Sequence, residues 1–150
     1  MKVNFNQDNN LRDNEIKVEV SANQLSQPVI DLINNINSNN SFSKTLPISI
    51  GDSTRMIQFA DIIAIEVLKN NLTIHTFSQE FEIKGQLKSI LLKLPENDFV
   101  QVSKSAIINL DCLDSLEAGF SGNMVAILSH SVKIGVSRKY LPDLKFKLGM

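Results

Sequence analysis

A single cysteine, Cys112, stands in a chain of 150 residues. It cannot close an internal disulfide or supply the several thiolates of most structural zinc sites, which fits a reducing compartment and leaves core packing as its role. No apolar run approaches the roughly 18 residues of a membrane span, and no charged, then apolar, leader with a small-residue cleavage site is visible. A soluble, cytoplasmic protein is therefore expected. Net charge is nearly absent as well, with 15 basic against 16 acidic residues, so overall charge does not make the chain an indiscriminate polyanion binder. His75 and His130 lie far apart with no cysteine or carboxylate at ligand spacing, which argues against a metal site. There is no glycine-rich phosphate loop and no triad signature, and Cys112 has no neighbouring base to activate it. These absences predict neither an enzyme nor a cofactor.

What is present is enough apolar residue, 43% of the chain, for one hydrophobic core, in a length too short for two ordinary domains. Ile16 to Val20 alternates apolar and charged residues, the period-two mark of a half-buried strand. Leu25, Val29, Leu32, Ile33 and Ile36 then fall on one face of a 3.6-residue period, predicting a helix over Ser26 to Ile36 with Ser26 as cap and Pro28 in its first turn. The helix needs cover for that apolar face, either on its own domain or on a second copy. Asn34 to Ser43 turns polar and asparagine-rich and reads as a linker. The boundary falls near Asn39, separating a strand-helix extension (1–39) from a main domain (40–150).

The main domain reads as short strands between turn signals, the pattern of a mostly antiparallel β fold. Leu46 to Ile50 and Arg55 to Phe59 flank Gly51-Asp52-Ser53-Thr54. Ile62 to Leu68 and Leu72 to Phe77 flank Lys69-Asn70-Asn71, where the asparagines tolerate the positive φ of a tight hairpin. Further strands are expected at Phe81 to Ile83, Phe99 to Val102, Ile107 to Leu116, Met124 to Leu128 and Val132 to Val136. Leu87, Ile90, Leu91 and Leu94 predict a short helix stopped by Pro95. A last helix is expected from Pro142 to just before Gly149.

Three polar interruptions follow well-patterned strands: Lys69-Asn70-Asn71, Ser103-Lys104-Ser105 and Ser137-Arg138-Lys139. A cation between two hydroxyls would cost desolvation free energy inside a strand, so these triplets belong where chain leaves sheet. The segment from His130 to Met150 carries five basic residues against one acid, a local excess of positive charge. If the three loops share one side, they offer cations and hydroxyls for phosphates, and an amide and a guanidinium for base edges.

The order of segments resembles the LytTR DNA-binding domain of bacterial transcription regulators. The resemblance is carried by Asp61-Ile62-Ile63-Ala64-Ile65-Glu66 before the first tip, the helix Leu87 to Leu94, Phe99-Val100-Gln101-Val102-Ser103-Lys104-Ser105 with Ile107-Ile108-Asn109, and Val136-Ser137-Arg138-Lys139-Tyr140 with Leu144-Lys145. It spans Leu46 to Leu148. It implies an elongated, mainly β, antiparallel fold with one or two short helices, whose loops enter successive major grooves on one face of double-stranded DNA. Direct-repeat sites, homodimeric or paired binding and DNA bending are also implied. By position, Lys104 and Arg138 match base-contacting loop residues, and Asn70 or Asn71 the remaining one. Ser103, Ser105, Lys139 and Tyr140 would contact phosphates or support the loops, and Lys69 at the first tip is a further DNA-binding residue. Two departures are Ala64, where an aromatic is frequent, and Ser129-His130-Ser131, where a glycine-containing turn is usual. With only about 40 residues ahead of the module, the chain looks like a free-standing regulator without a receiver domain, and relatives of that kind suggest a small membrane protein as a restraining partner. Beside this stands another reading, a protein-interaction module docking through its N-terminal helix without binding DNA; it has no need of the basic loop end.

Overall fold

The computed structural model describes residues 1–12, 16–39 and 44–150. The chain divides into two compact units, Met1–Phe42 and Ser43–Met150.

In the first unit one helix, α1 (Gln27–Asn39), forms where the apolar period placed it. The Ser26 carbonyl accepts from the Val29 and Ile30 N–H groups, so the helix starts on Ser26 with Pro28 in its first turn. Val29, Ile30, Leu32, Ile33 and Ile36 are the half-buried stripe, whereas Leu25 is exposed. Two expectations are corrected here. The stretch expected to form a linker, Asn34 to Ser43, is helical as far as Asn39, because the apolar face runs on through Ile36; the remainder, 40–43, lies outside the described residues. Ile16 to Val20 forms no strand and its apolar side chains are exposed, Ile16 at 84%. Alternation selects a face, but a strand also needs a neighbour to complete its ladder.

The second unit is built from antiparallel pairs. A two-stranded ribbon, β1 (Thr45–Ile50) with β2 (Ser53–Gln58), turns at Gly51, whose φ of +58° explains the glycine. A five-stranded sheet has the order β5 (Glu80–Lys84), β4 (Asn71–Thr76), β3 (Ile62–Leu68), β7 (Ala106–Asn109), β6 (Phe99–Ser103). A three-stranded sheet has the order β10 (Lys133–Val136), β9 (Met124–Leu128), β8 (Leu113–Ala118). Two short helices complete the unit: α2 (Leu87–Leu91), and α3 (Leu141–Lys147) with proline in its first turn.

The central strand explains the layering. Ile62 and Ile65 of β3 face a core closed by the β1–β2 ribbon and α2, with Leu46, Ile57, Leu72, Ile74, Leu87 and Phe99. Ile63 and Ala64 face a second core, closed by the three-stranded sheet and α3, with Val102, Ile108, Ala126, Leu128, Ile134 and Leu144. A bulge between Ile62 and Ala64 changes the register as the strand serves both cores. This is why Ile62-Ile63-Ala64-Ile65 reads as a continuous apolar run rather than an alternation.

The run Ile107 to Leu116, expected as one strand, is two strands in different sheets. A 3-10 turn, Leu110–Cys112, separates β7 from β8. Asn109 causes the break: its side-chain oxygen accepts from the Asp111 N–H at 3.0 Å, and its amide donates to the Ile62 carbonyl at 2.8 Å. At Ser129-His130-Ser131 the hairpin turns on two left-handed non-glycine residues, His130 (φ +58°) and Ser131 (φ +60°), where a glycine would relieve the strain. The His130 ring meets Phe77 edge-on at 5.0 Å.

Candidate nucleic-acid interface

The first tip is the β3–β4 hairpin. The last ladder pair is Leu68 with Asn71, leaving Lys69 and Asn70 as a two-residue connection. Lys69, not an asparagine, takes the left-handed conformation (φ +58°). The Asn70 carbonyl accepts from the Gly85 N–H at 2.9 Å, fastening the tip to the end of β5. Asn71 is the first residue of β4, paired with Leu68 on one side and Lys84 on the other.

The second tip, between β6 and β7, shows what the two hydroxyls around Lys104 do. The Ser103 hydroxyl oxygen accepts from the Ser105 N–H at 3.1 Å and lies 3.3 Å from the Ser105 hydroxyl. The Gln101 amide donates to the Ser103 carbonyl at 2.9 Å. The serines thus close the turn on itself, and Lys104 is left exposed at its apex.

The third is the joint between β10 and α3. The Ser137 carbonyl accepts from the N–H groups of Tyr140 and Leu141 at 2.9 and 3.1 Å, which turns the chain into the helix and leaves Arg138 and Lys139 exposed on the bend. Tyr140 is half-buried, and the Lys139 ammonium sits 5.8 Å from its ring centroid.

Two backbone hydrogen bonds bring these tips to one end of the unit. Glu66 of β3 pairs with Ala106 of β7, and one residue further the Val67 N–H donates to the Ser105 carbonyl at 2.8 Å. The Ser137 N–H donates to the Val102 carbonyl at 2.8 Å, tying the third tip to the end of β6. Lys69, Lys104, Arg138 and Lys139 therefore project from the same end. Glu66 is half-buried there, and its carboxylate contacts the His75 Nε2 at 2.8 Å; the His75 Nδ1 lies 2.8 Å from Glu80. A groove of about 450 Å³ runs beside the tips, lined among others by Glu66, Ser103, Ser105, Phe120, Asn123 and Ser137. Lys147 lies elsewhere: its ammonium donates to the Glu96 carbonyl at 3.0 Å, ahead of the start of β6 and away from the Lys104 turn.

A fourth turn, outside the three polar triplets, reaches the same end. The β8–β9 connection, Gly119 to Asn123, places the Ser121 carbonyl 2.9 Å from the Arg138 Nη2, which donates to it. Phe120 at its tip is 96% exposed. The signal was available in the sequence as an aromatic between the two glycines of Gly119-Phe120-Ser121-Gly122, a bulky apolar side chain where only turn residues are needed.

Exposed cations and hydroxyls on loops at one end of a β scaffold are the equipment of a nucleic-acid-binding domain. The chain belongs to the LytTr DNA-binding domain family, whose model matches residues 52–149. It is 31% identical over 105 residues to the sensory transduction protein LytR of Staphylococcus epidermidis, covering 70% of this chain and 42% of that protein. Against the sensory transduction protein LytT of Enterococcus faecalis it is 31% identical over 108 residues, covering 72% and 45%. The chain thus spans less than half the length of these two relatives. A Staphylococcus aureus protein named as an uncharacterised HTH-type transcriptional regulator is 28% identical over 141 residues, covering 94% of this chain and 95% of that one. A solved LytTr DNA-binding domain from Bacillus cereus superposes with a TM-score of 0.63 at 15% identity, over 71% of this chain and 98% of that domain, and shares its fold. Among the described residues no helix is long and apolar enough to cross a membrane.

Proposed function

We propose that this protein is a sequence-specific, double-stranded DNA-binding transcription regulator that reads the major groove with loops rather than a recognition helix. The observation that supports this most is the pair of backbone bonds, Val67 to Ser105 and Ser137 to Val102, which gather the cationic tips. The two helices of the main unit have five and seven residues and are separated by five strands, so a helix-turn-helix reader is not on offer. In this reading Lys104, Arg138 and an asparagine at 70 or 71 contact base edges, since a guanidinium or ammonium suits guanine and a carboxamide suits adenine. Lys69, Ser103, Ser105, Lys139 and Tyr140 anchor phosphates or hold the loops in shape. Residues 40–150 would form the DNA-binding domain and 1–39 an extension to it.

The finer parts of the proposal follow the family resemblance. The protein would act in the cytoplasm, without enzymatic activity, on direct repeats, as a homodimer or as paired copies on DNA. A small membrane protein would be its restraining partner. A docking module that never meets DNA would leave the cationic loop end without a role.

Selection from a randomised duplex pool, followed by fluorescence anisotropy over a salt series, tests the proposal. The expected result is an enriched sequence bound about 10³-fold or more tighter than scrambled DNA, with log affinity falling against log salt at a slope of about −2 for the two phosphates neutralised by Lys69 and Lys139. No enriched sequence, with equally weak binding to all duplexes, would overturn it.

A further inference from the structure

We propose that Phe120 is a further base-contacting residue, whose ring packs on the C5-methyl group of a thymine beside the base read by Arg138. The inference rests on the DNA-binding reading above and adds to it an apolar contact and a fourth loop.

Phe120 is the most exposed large apolar side chain among the described residues of the Ser43–Met150 unit. Its exposure is imposed by the turn rather than left to a loose loop. The Gly119 N–H donates to the Asn123 carbonyl at 2.6 Å and the Asn123 N–H returns to the Phe120 carbonyl at 3.3 Å. Between them Ser121 (φ +60°) and Gly122 (φ +76°) are successively left-handed. Gly119 is confined too, since a Cβ there would come within 2.9 Å of Val125 Cγ2. A closed turn of this kind holds the aromatic out in water, an unfavourable place for it unless a partner covers the ring.

The kind of partner follows from what surrounds the ring. Arg138 donates to the carbonyl of the next residue, Ser121, at 2.9 Å, and a Cβ on Gly122 would stand 3.4 Å from the same guanidinium nitrogen. Phe120, Ser103 and Ser105 line one groove, beside the apex that carries Lys104. An apolar protein surface would leave those cations to be desolvated without a counter-charge. DNA supplies phosphates for the cations and, in the major groove, one apolar group on its base edges, the thymine methyl, against which phenylalanine packs.

The test uses the full chain and the duplex enriched by the wild-type protein from a randomised pool. Phe120→Ala should lower affinity for that duplex about tenfold, the effect of uncovering a phenyl ring, with the salt slope unchanged because no phosphate contact is lost. Replacing each thymine in turn by deoxyuridine removes one methyl. At one position this should cost the wild type about fourfold and cost Phe120→Ala nothing more. The inference is overturned if Phe120→Ala binds like the wild type, or if it binds more weakly yet responds to every deoxyuridine substitution as the wild type does. Failure of the wild type to enrich any sequence would instead overturn the DNA-binding reading, and this inference with it. Unchanged circular dichroism and melting temperature of Phe120→Ala confirm that the readout is binding and not folding.

Discussion

Replacing Asn109 by alanine removes a side chain that joins β7, β3 and the turn into β8. Asn109 is 2% exposed. Its amide donates to the Ile62 carbonyl at 2.8 Å and reaches the Phe59 carbonyl at 3.5 Å, and its oxygen accepts from the Asp111 N–H at 3.0 Å. In the alanine variant the Ile62 carbonyl loses its amide donor, and the Cys112 thiol, a weak donor at 3.7 Å, does not replace it. A buried acceptor left in that state costs about 1 to 3 kcal/mol. The Asp111 N–H belongs to an exposed residue and can turn to water, so its loss adds only about 0.5 to 1 kcal/mol. The sum, about 1.5 to 4 kcal/mol, is a large part of the roughly 5 to 15 kcal/mol that holds a domain of this size. It corresponds to a fall in Tm of roughly 10 to 20 °C. Urea and thermal unfolding followed by circular dichroism measure it directly. Asn109→Asp separates the two halves of the contact: it keeps the acceptor for Asp111 but sets a carboxylate against the Ile62 carbonyl, and it should be the more destabilising of the two. A loss below about 1 kcal/mol for alanine, or an aspartate variant as stable as wild type, would refute the account of Asn109 as a buried clamp. DNA binding by the folded fraction should be unchanged, because Asn109 lies at the end of β7 away from Lys104.

Other expectations test the site and the turns. Arg138→Ala should lose about 1 to 3 kcal/mol of discrimination between the enriched and a scrambled duplex, whereas Lys145→Ala should weaken both alike; equal effects in a competition titration would remove Arg138 from base readout. Ser131→Gly should relieve a left-handed residue and raise stability by about 0.5 kcal/mol, the difference between that strain and the added freedom of the unfolded chain; a lower Tm would contradict this. Burial, its largest cause, pushes the Cys112 thiol above its ordinary value of 9.0, with Asp111 and Asp114 adding to the rise and the Ser129 hydrogen bond partly offsetting it. A raised folded pKa means that the thiol's contribution is complete below the unfolded pKa and is lost as pH rises through the folded one. Urea unfolding should therefore show stability falling above pH 9, and Cys112→Ala should flatten that fall; parallel pH profiles for the two proteins would refute it.

Local pattern made much of the fold legible. The strands β3, β4, β9 and β10, the helix from Leu87 and the proline-started helix near the end all follow from short-range apolar period and turn residues. The failures share a cause in partners that local pattern does not reveal. Ile16 to Val20 has strand alternation but no ladder partner among the described residues. Ile107 to Leu116 looks uniform, yet its two halves join different sheets because Asn109 finds carbonyls at Phe59 and Ile62, some fifty residues away. At the site, the three polar triplets could be picked out from the sequence, but their convergence depends on Val67 finding Ser105 and Ser137 finding Val102, contacts between distant strands. The left-handed residue at the first tip is Lys69 rather than an asparagine because the ladder closes at Leu68 and Asn71. Phe120 stands out in the sequence only as an aromatic in a turn; its place beside Arg138 depends on the bond from Arg138 to the Ser121 carbonyl, seventeen residues away.

The bonds that gather the loop tips run between main-chain groups, N–H of Val67 and Ser137 to carbonyls of Ser105 and Val102. Main-chain bonds do not depend on which side chains a residue carries. The side chains at 70 and 104 can therefore be exchanged while the frame that aims them stays intact, and a change at 138 gives up only the tie to the Ser121 carbonyl, so vocabulary and grammar are inherited largely apart. If those side chains read bases as proposed, a library randomised at the three positions should yield folded proteins that select new duplex sequences, without any rebuilding of the domain.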